Sequence, residues 1–210
     1  MRRSPSATAI DDIDDHLFLE GQRIVLEGIS YDDYVTMNDL FVDRPGVRFA
    51  YLDGTLEIMS PGFRHGGLKT LLARLLELYA LESGIPIYGY GQMTKRKKRK
   101  KVGVEPDECY YVGASHRRYA QRGRAPDLAI EIVHSHGMRK IEIYRRLGVR
   151  EVWVIDKGGL TINALWGERY IVRPKSRLFP DLDVAVLMEY AQLEDQDDAV
   201  RAFWALLRRA

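Results

Sequence analysis

Apolar positions along this chain fall first into a helical rhythm and then into a strand rhythm. Leu68, Leu71, Leu72, Leu75, Leu76 and Tyr79 recur at spacings of three and four, which predicts an amphipathic helix over residues 64–82 that stops near Gly84. Ser30-Tyr31-Asp32-Asp33 offers a capping hydroxyl and first-turn acids for an earlier helix. Residues 47–52 and 55–59 flank Asp53-Gly54, a two-residue hairpin signal, and Ser60-Pro61-Gly62 then breaks the chain. Strands are expected at 85–90, 107–112, 127–133 and 151–156, with an arginine-rich loop between the second and third. A helix is expected at 138–147, stopped by Gly148, then a hairpin at 160–165 and 169–173 and a last helix at 197–209. The order helix, three strands, helix, strand predicts an α/β (α+β) core with a central mixed sheet flanked by helices.

Composition places this pattern in a globular protein. At 210 residues, 46% hydrophobic and 30% charged, the chain is expected to form one domain over 16–195, with a polar tail at 1–15 and a terminal helix at 196–210. The formal charge of +2 is uneven. Lys95-Arg96-Lys97-Lys98-Arg99-Lys100-Lys101 carries seven positive charges, and subtracting them leaves the rest at −5. The single cysteine, Cys109, excludes an intramolecular disulfide and a cysteine-based zinc site. Residues 1–15 lack the apolar stretch of a secretory signal, and no run approaches the roughly 20 apolar residues of a membrane span. A cytoplasmic protein with no membrane partner is expected.

The chemistry gathers around two acidic segments, Pro106-Asp107 and Pro126-Asp127-Leu128-Ala129-Ile130-Glu131. Strand alternation puts Asp127, Ala129 and Glu131 on one face. Asp127 and Glu131 are about 13 Å apart at ~3.3 Å per residue, too far to share one ion. Glu131 therefore needs a partner from elsewhere, and Asp107 on the preceding strand is the natural one. Two close carboxylates repel unless a cation joins them, and oxygen-only ligands favour Mg²⁺ or Mn²⁺ over zinc. Such an ion acidifies a water and neutralises charge building on phosphate oxygens. On the following helix Lys140 lies about 100° from Ile141, in the same arc as Tyr144 and Leu147. It points either inward, toward Glu131 or a phosphate, or along the helix end to solvent. His65 falls on the buried side of the long helix's first turn, where it is either a satisfied core group or a partner for a phosphate oxygen. His134 and His136 look like a metal pair without a third ligand.

The segment Ala125 to Val133, followed by Lys140, Tyr144 and Gly148-Val149-Arg150-Glu151-Val152-Trp153-Val154-Ile155-Asp156, resembles the Uma-type restriction endonuclease family of the PD-(D/E)XK nuclease superfamily. Leu52-Asp53-Gly54, Ser60-Pro61, His65-Gly66 and Val104-Glu105-Pro106-Asp107 extend the likeness upstream. The resemblance implies a restriction-endonuclease-like core, with Asp107 and Glu131 as metal ligands and Lys140 as the superfamily lysine moved onto the next helix. Val133 stands where that lysine usually sits, the loop before Lys140 is short, and the basic run lies outside the family pattern.

The leading expectation is a Mg²⁺-dependent endonuclease, a hydrolase cutting phosphodiester bonds in DNA. Its residues would be Asp107, Glu131, Lys140 and His65, with Lys95, Arg96, Lys97, Lys98, Arg99, Lys100 and Lys101 contacting nucleic acid through salt-dependent phosphate contacts. The alternatives are a catalytically silent nucleic-acid-binding module on the same fold and a protein-interaction role, with Trp153, Trp166 and Tyr170 forming a homodimer contact.

Overall fold

Asp53 and Gly54 turn the chain with positive φ angles of 48° and 105°, the backbone that an Asp-Gly hairpin loop demands. The computed structural model describes residues 21–41, 46–91, 93–113, 123–133, 138 and 140–209, apart from the side chains of residues 63 and 64. The expected tail at 1–15, the centre of the arginine-rich loop, His134 and His136 lie outside the described residues.

The Asp53-Gly54 turn joins β2 (Arg48–Leu52) to β3 (Thr55–Pro61). These two strands sit inside an antiparallel sheet of five, ordered β1-β3-β2-β6-β5, where β1 is Gly21–Leu26, β5 is Lys95–Lys97 and β6 is Val102–Val104. This separate sheet, the first in chain order, was not expected beside the central one. Its added strands are short, and β5 consists only of cationic residues, which carry no hydrophobic alternation. Lysines on an edge strand also discourage pairing with other chains. The basic run is thus a folded hairpin: β5, a 3₁₀ turn over Lys98–Lys100, a left-handed Lys101, and β6.

The other sheet has six strands in the order β11-β10-β9-β8-β7-β4. They are β4 (Ile87–Gly89), β7 (Glu108–Val112), β8 (Leu128–Ile132), β9 (Glu151–Asp156), β10 (Gly159–Trp166) and β11 (Arg169–Arg173). β8 and β9 are parallel and the other neighbours antiparallel, so the sheet is mixed as the element order predicts. The described helices are α1 (Tyr31–Phe41), α2 (Phe63–Glu82), α3 (Lys140–Leu147), α4 (Val184–Ala191) and α5 (Gln196–Leu207). Ser30 caps α1, its Oγ accepting from the Asp33 amide at 3.1 Å. α4 was not anticipated. Asp183 caps it, accepting from the amides of Ala185 and Val186.

Alternation along the strands builds three apolar layers. Leu128, Ile130 and Ile132 face α2, α4 and α5 in the largest cluster, which also takes Phe203 of the terminal helix. Ala129 faces the opposite way, into a cluster shared by Ala50, Val102 and Val104 of the first sheet and Ile143 and Tyr144 of α3. Helix α3 is therefore packed between the two sheets. On the far side of the first sheet, Phe49, Tyr51 and Leu56 pack on Tyr34 of α1. Trp153, considered above for a subunit contact, is fully buried with its indole N–H on Glu151; an apolar strand buried on both faces takes it out of the surface. Trp166 is 57% exposed. Among the described residues no helix is long and apolar enough to cross a membrane.

Gly103 of β6 faces Tyr34 so closely that an added Cβ would stand 2.0 Å from the tyrosine oxygen. Gly103→Ala is expected to cost at least about 1–3 kcal/mol through overpacking. Gly67→Ala, a helical position with nothing within 4 Å of the new Cβ, is expected to gain roughly 0.5–1 kcal/mol. Urea midpoints for the two variants should shift in opposite directions, and a midpoint for Gly103→Ala equal to wild type would contradict this packing.

Candidate active site

The chain passes from the first sheet to the second through Glu105-Pro106-Asp107, and the chemistry sits at that crossing. β7 and β8 run antiparallel with Glu108 opposite Ile130 and Cys109 opposite Ala129. One further step sets Asp107 opposite Glu131, with both side chains on the α3 side of the sheet. Asp107 is fully buried and Glu131 is 3% exposed.

Each carboxylate is held by groups from other elements. Asp107 Oδ2 accepts from the Ile132 amide at 2.7 Å. Its Oδ1 meets the Arg48 guanidinium from β2 and, at 3.0 Å, His65 Nε2 from the first turn of α2. Glu131 Oε2 accepts from the Lys140 ammonium at 2.9 Å, and Oε1 from the Tyr144 hydroxyl. Lys140 and Tyr144 are four apart on α3, so one helix face delivers both. Lys140 turns inward, to a side chain only 13% exposed. Asp107, Glu131, Lys140 and His65 thus form one cluster.

A third carboxylate joins them. Glu57 of β3 is 1% exposed. It accepts from the Met138 amide at 2.8 Å, pairs with Arg23 at 3.3 Å, and lies 3.9 Å from the Lys140 ammonium. Glu105, half-buried, accepts from the Thr94 hydroxyl at 3.1 Å. The sequence reading missed Glu57 and Arg48, although a signal existed. Arg48 alternates with Ala50 on β2, and Ala50 pairs with Glu57 on β3, so both charged residues share the inward face of the hairpin. A charged residue on a buried face requires a partner.

The two facing carboxyls are pushed apart in acidity. Burial raises Asp107, but the His65 hydrogen bond and the charges of His65, Arg48 and Lys140 outweigh it and hold it below the usual range. Burial dominates at Glu131 and, with the Asp107 charge, raises it despite Lys140 and Tyr144. Burial works against the Lys140 charge too, yet Glu131, Asp107 and Glu57 keep its pKa above the ordinary value.

Asp127 belongs elsewhere. At the start of β8 its Oδ2 accepts from the Val112 amide at 3.0 Å and its Oδ1 meets Arg150 at 3.3 Å, so it fastens the far ends of β7 and β8. The basic run is not gathered into the site either. Arg96 pairs with Asp39 and Lys98 with Asp32, each at 2.7 Å, so two of its seven charges are already answered by α1.

The donor set suits a hard cation. Two opposed carboxylates present only oxygen, and Mg²⁺ commonly takes one or two carboxylates with waters and substrate phosphates completing its shell. Among the described residues no three His, Cys, Asp or Glu side chains converge as a ready-made cage, a requirement that two-carboxylate binding does not impose.

Two sheets enclosing a helix, with opposed buried carboxylates at the crossing, define an α+β protein of the restriction-endonuclease-like class. The chain matches the Uma2 family model, described as "Putative restriction endonuclease", over residues 31–180, and it belongs to that family. None of the curated proteins matches it.

Lys140→Met would leave Glu131 buried against Tyr144 alone, and breaking such a pair costs roughly 3–5 kcal/mol. The sign with pH follows from the raised Glu131 carboxyl. Without Lys140 it rises further, so the folded state keeps a proton that the unfolded state releases, and stability falls as pH rises above the ordinary carboxylate value. Urea titrations should show the deficit widening as pH is raised above the ordinary carboxylate value. A deficit constant across that range would mean that Lys140 does not neutralise Glu131.

Proposed function

We propose that this protein is a metal-dependent endonuclease hydrolysing phosphodiester bonds in DNA. One observation carries the reading: the Lys140 ammonium reaches Glu131 at the place where Asp107 stands opposite. That combination supplies, from two strands and a helix, the acid–acid–lysine set of a PD-(D/E)XK site. Asp107 and Glu131 would hold Mg²⁺ or Mn²⁺, which when bound neutralises phosphate charge and acidifies a water. Lys140 donates from its ammonium to the attacking water or to a phosphate oxygen, where negative charge builds. Tyr144 fixes the Glu131 carboxylate through Oε1, so the oxygen that a metal would share is Oε2, which Lys140 holds. His65 holds Asp107 through Nε2, and support of the phosphate would fall to its other nitrogen. The segment from Lys95 to Lys101 contributes affinity common to all sequences.

A second reading, a silent nucleic-acid-binding module, is favoured by the pairing of both carboxylates with protein cations, Arg48 on Asp107 and Lys140 on Glu131. A metal must compete with those partners. Supercoiled plasmid incubated with purified protein is expected to be nicked with Mg²⁺ or Mn²⁺ and left intact with EDTA, and Glu131→Gln is expected to abolish nicking. Wild type should also melt at a higher temperature with Mg²⁺, the stabilisation reaching about 2.7 kcal/mol at a hundredfold excess over Kd, whereas the variant should barely respond. Equal responses of the two proteins would remove Glu131 from the ligand set, and wild-type binding of DNA without nicking would leave the silent module.

A further inference from the structure

The basic hairpin and α3 lie side by side between two chemically different ends. At one end is Thr94, bonded to Glu105 beside the site and leading directly into β5. At the other, the 3₁₀ turn meets the C-terminus of α3, where the Lys100 ammonium donates to the Arg146 carbonyl and Arg146 donates to the Lys100 carbonyl at 3.1 Å. Arg146 lies six residues beyond Lys140, about 9 Å along the helix axis, so the hairpin tip is held about that far from the start of the helix.

A pocket of about 590 Å³ opens between the tip and the helix end, and Arg99, Lys101, Arg145, Arg146 and Glu168 are among its lining residues. Their charges are not equally available. Arg146 grips Asp53 with two nitrogens, at 2.8 and 2.6 Å, and reaches Glu142 at 2.8 Å. Arg145 grips the same Glu142 at 2.6 and 2.7 Å and donates to the Glu168 carbonyl at 3.1 Å. Arg99 and Lys101 carry no ion pair among the described residues, and both are exposed. The negative end of the helix dipole points here and would repel an anion, but the Lys100 ammonium on the Arg146 carbonyl offsets it. The pocket thus has a floor of paired arginines and, at its rim, two cations outside any close ion pair, of which Lys101 acts on the Asp53 charge at longer range.

We propose that this pocket is a phosphate subsite for a nucleic-acid backbone, which the cations of Arg99 and Lys101 hold while the scissile phosphate lies at Lys140. The identity of the ligand rests on the endonuclease reading. A distance of about 9 Å corresponds to two or three nucleotide steps at ~3.4 Å of axial rise per strand. Arg99 and Lys101 would hold phosphate without reading sequence, working against the carboxylates of Asp53 and Glu168 that also line the pocket.

The test measures binding, not cleavage. Anisotropy of a fluorescein-labelled duplex of about 24 base pairs is followed in EDTA at several salt concentrations, where each phosphate contact adds ~0.9 to the slope of log K against log salt. Arg99→Gln with Lys101→Asn removes both rim charges, and asparagine tolerates the left-handed backbone of residue 101. Arg208→Gln with Arg209→Gln removes the same charge from the exposed end of α5. The tip variant is expected to bind on the order of tenfold more weakly at low salt, with a slope lower by about one, while the control stays within about twofold of wild type. If wild type binds and the tip variant matches it in affinity and slope, the subsite is wrong and the endonuclease reading stands. Equal losses in both double variants would assign the effect to net charge and also overturn the subsite. If wild type binds no duplex at all, both readings fail together.

Discussion

Two carboxylates facing each other in a dry interior cannot both keep their charge unless cations stand against them. Much of this fold's architecture answers that constraint around Asp107 and Glu131. Arg48 arrives from the first sheet, His65 from α2, and Lys140 with Tyr144 from α3. Three separate elements are thus tied to one point. A buried ion pair adds little net stability compared with apolar residues of the same volume. The cluster therefore makes poor sense as a stabilising device, and on the endonuclease reading it is a site whose chemistry needs both acids.

Much of the frame was legible because it rests on local physics. The Asp53-Gly54 turn, the leucine period of α2 and the alternation along β8 each involve a few neighbouring residues, and each appears where the pattern put it. Opposing Asp107 to Glu131 needed one extra assumption, that consecutive strands pair, and the β7–β8 register meets it. Arg48 and Glu57 were not found because their meaning is non-local. A charged residue in a strand reads as solvent-facing until the sheet that covers it is known, and here the covering layer is α3, some ninety residues away. β5 hid for a different reason. Its side chains are all cationic, so no hydrophobic signal distinguishes a paired edge strand from a solvated loop.

On the endonuclease reading, the departure at Val133 also has a physical account. β8 is buried on both faces. A lysine on the strand would have to place its ammonium beside Glu131 from the same backbone segment. Placed at the first turn of α3, the lysine approaches from the opposite layer, and Tyr144 comes with it one turn later. The cation is then held by a helix packed between two sheets, which limits how far it can swing from the carboxylate.

That packing gives α3 two roles at its two ends. Its N-terminus brings Lys140 to Glu131, and its C-terminus is pinned to the Asp53 turn and the hairpin tip through Arg146. A helix of two turns is nearly rigid over that length, so a force on one end displaces the other as a body. The Arg146 pairs with Asp53 and Glu142 are partly exposed and individually weak. Their value lies in geometry: they join the β2–β3 turn, the basic hairpin and the lysine helix into one frame. Any ligand that engages the hairpin tip therefore acts on the same body that positions Lys140, and the distance between tip and site is set by helix rise, not by a flexible loop.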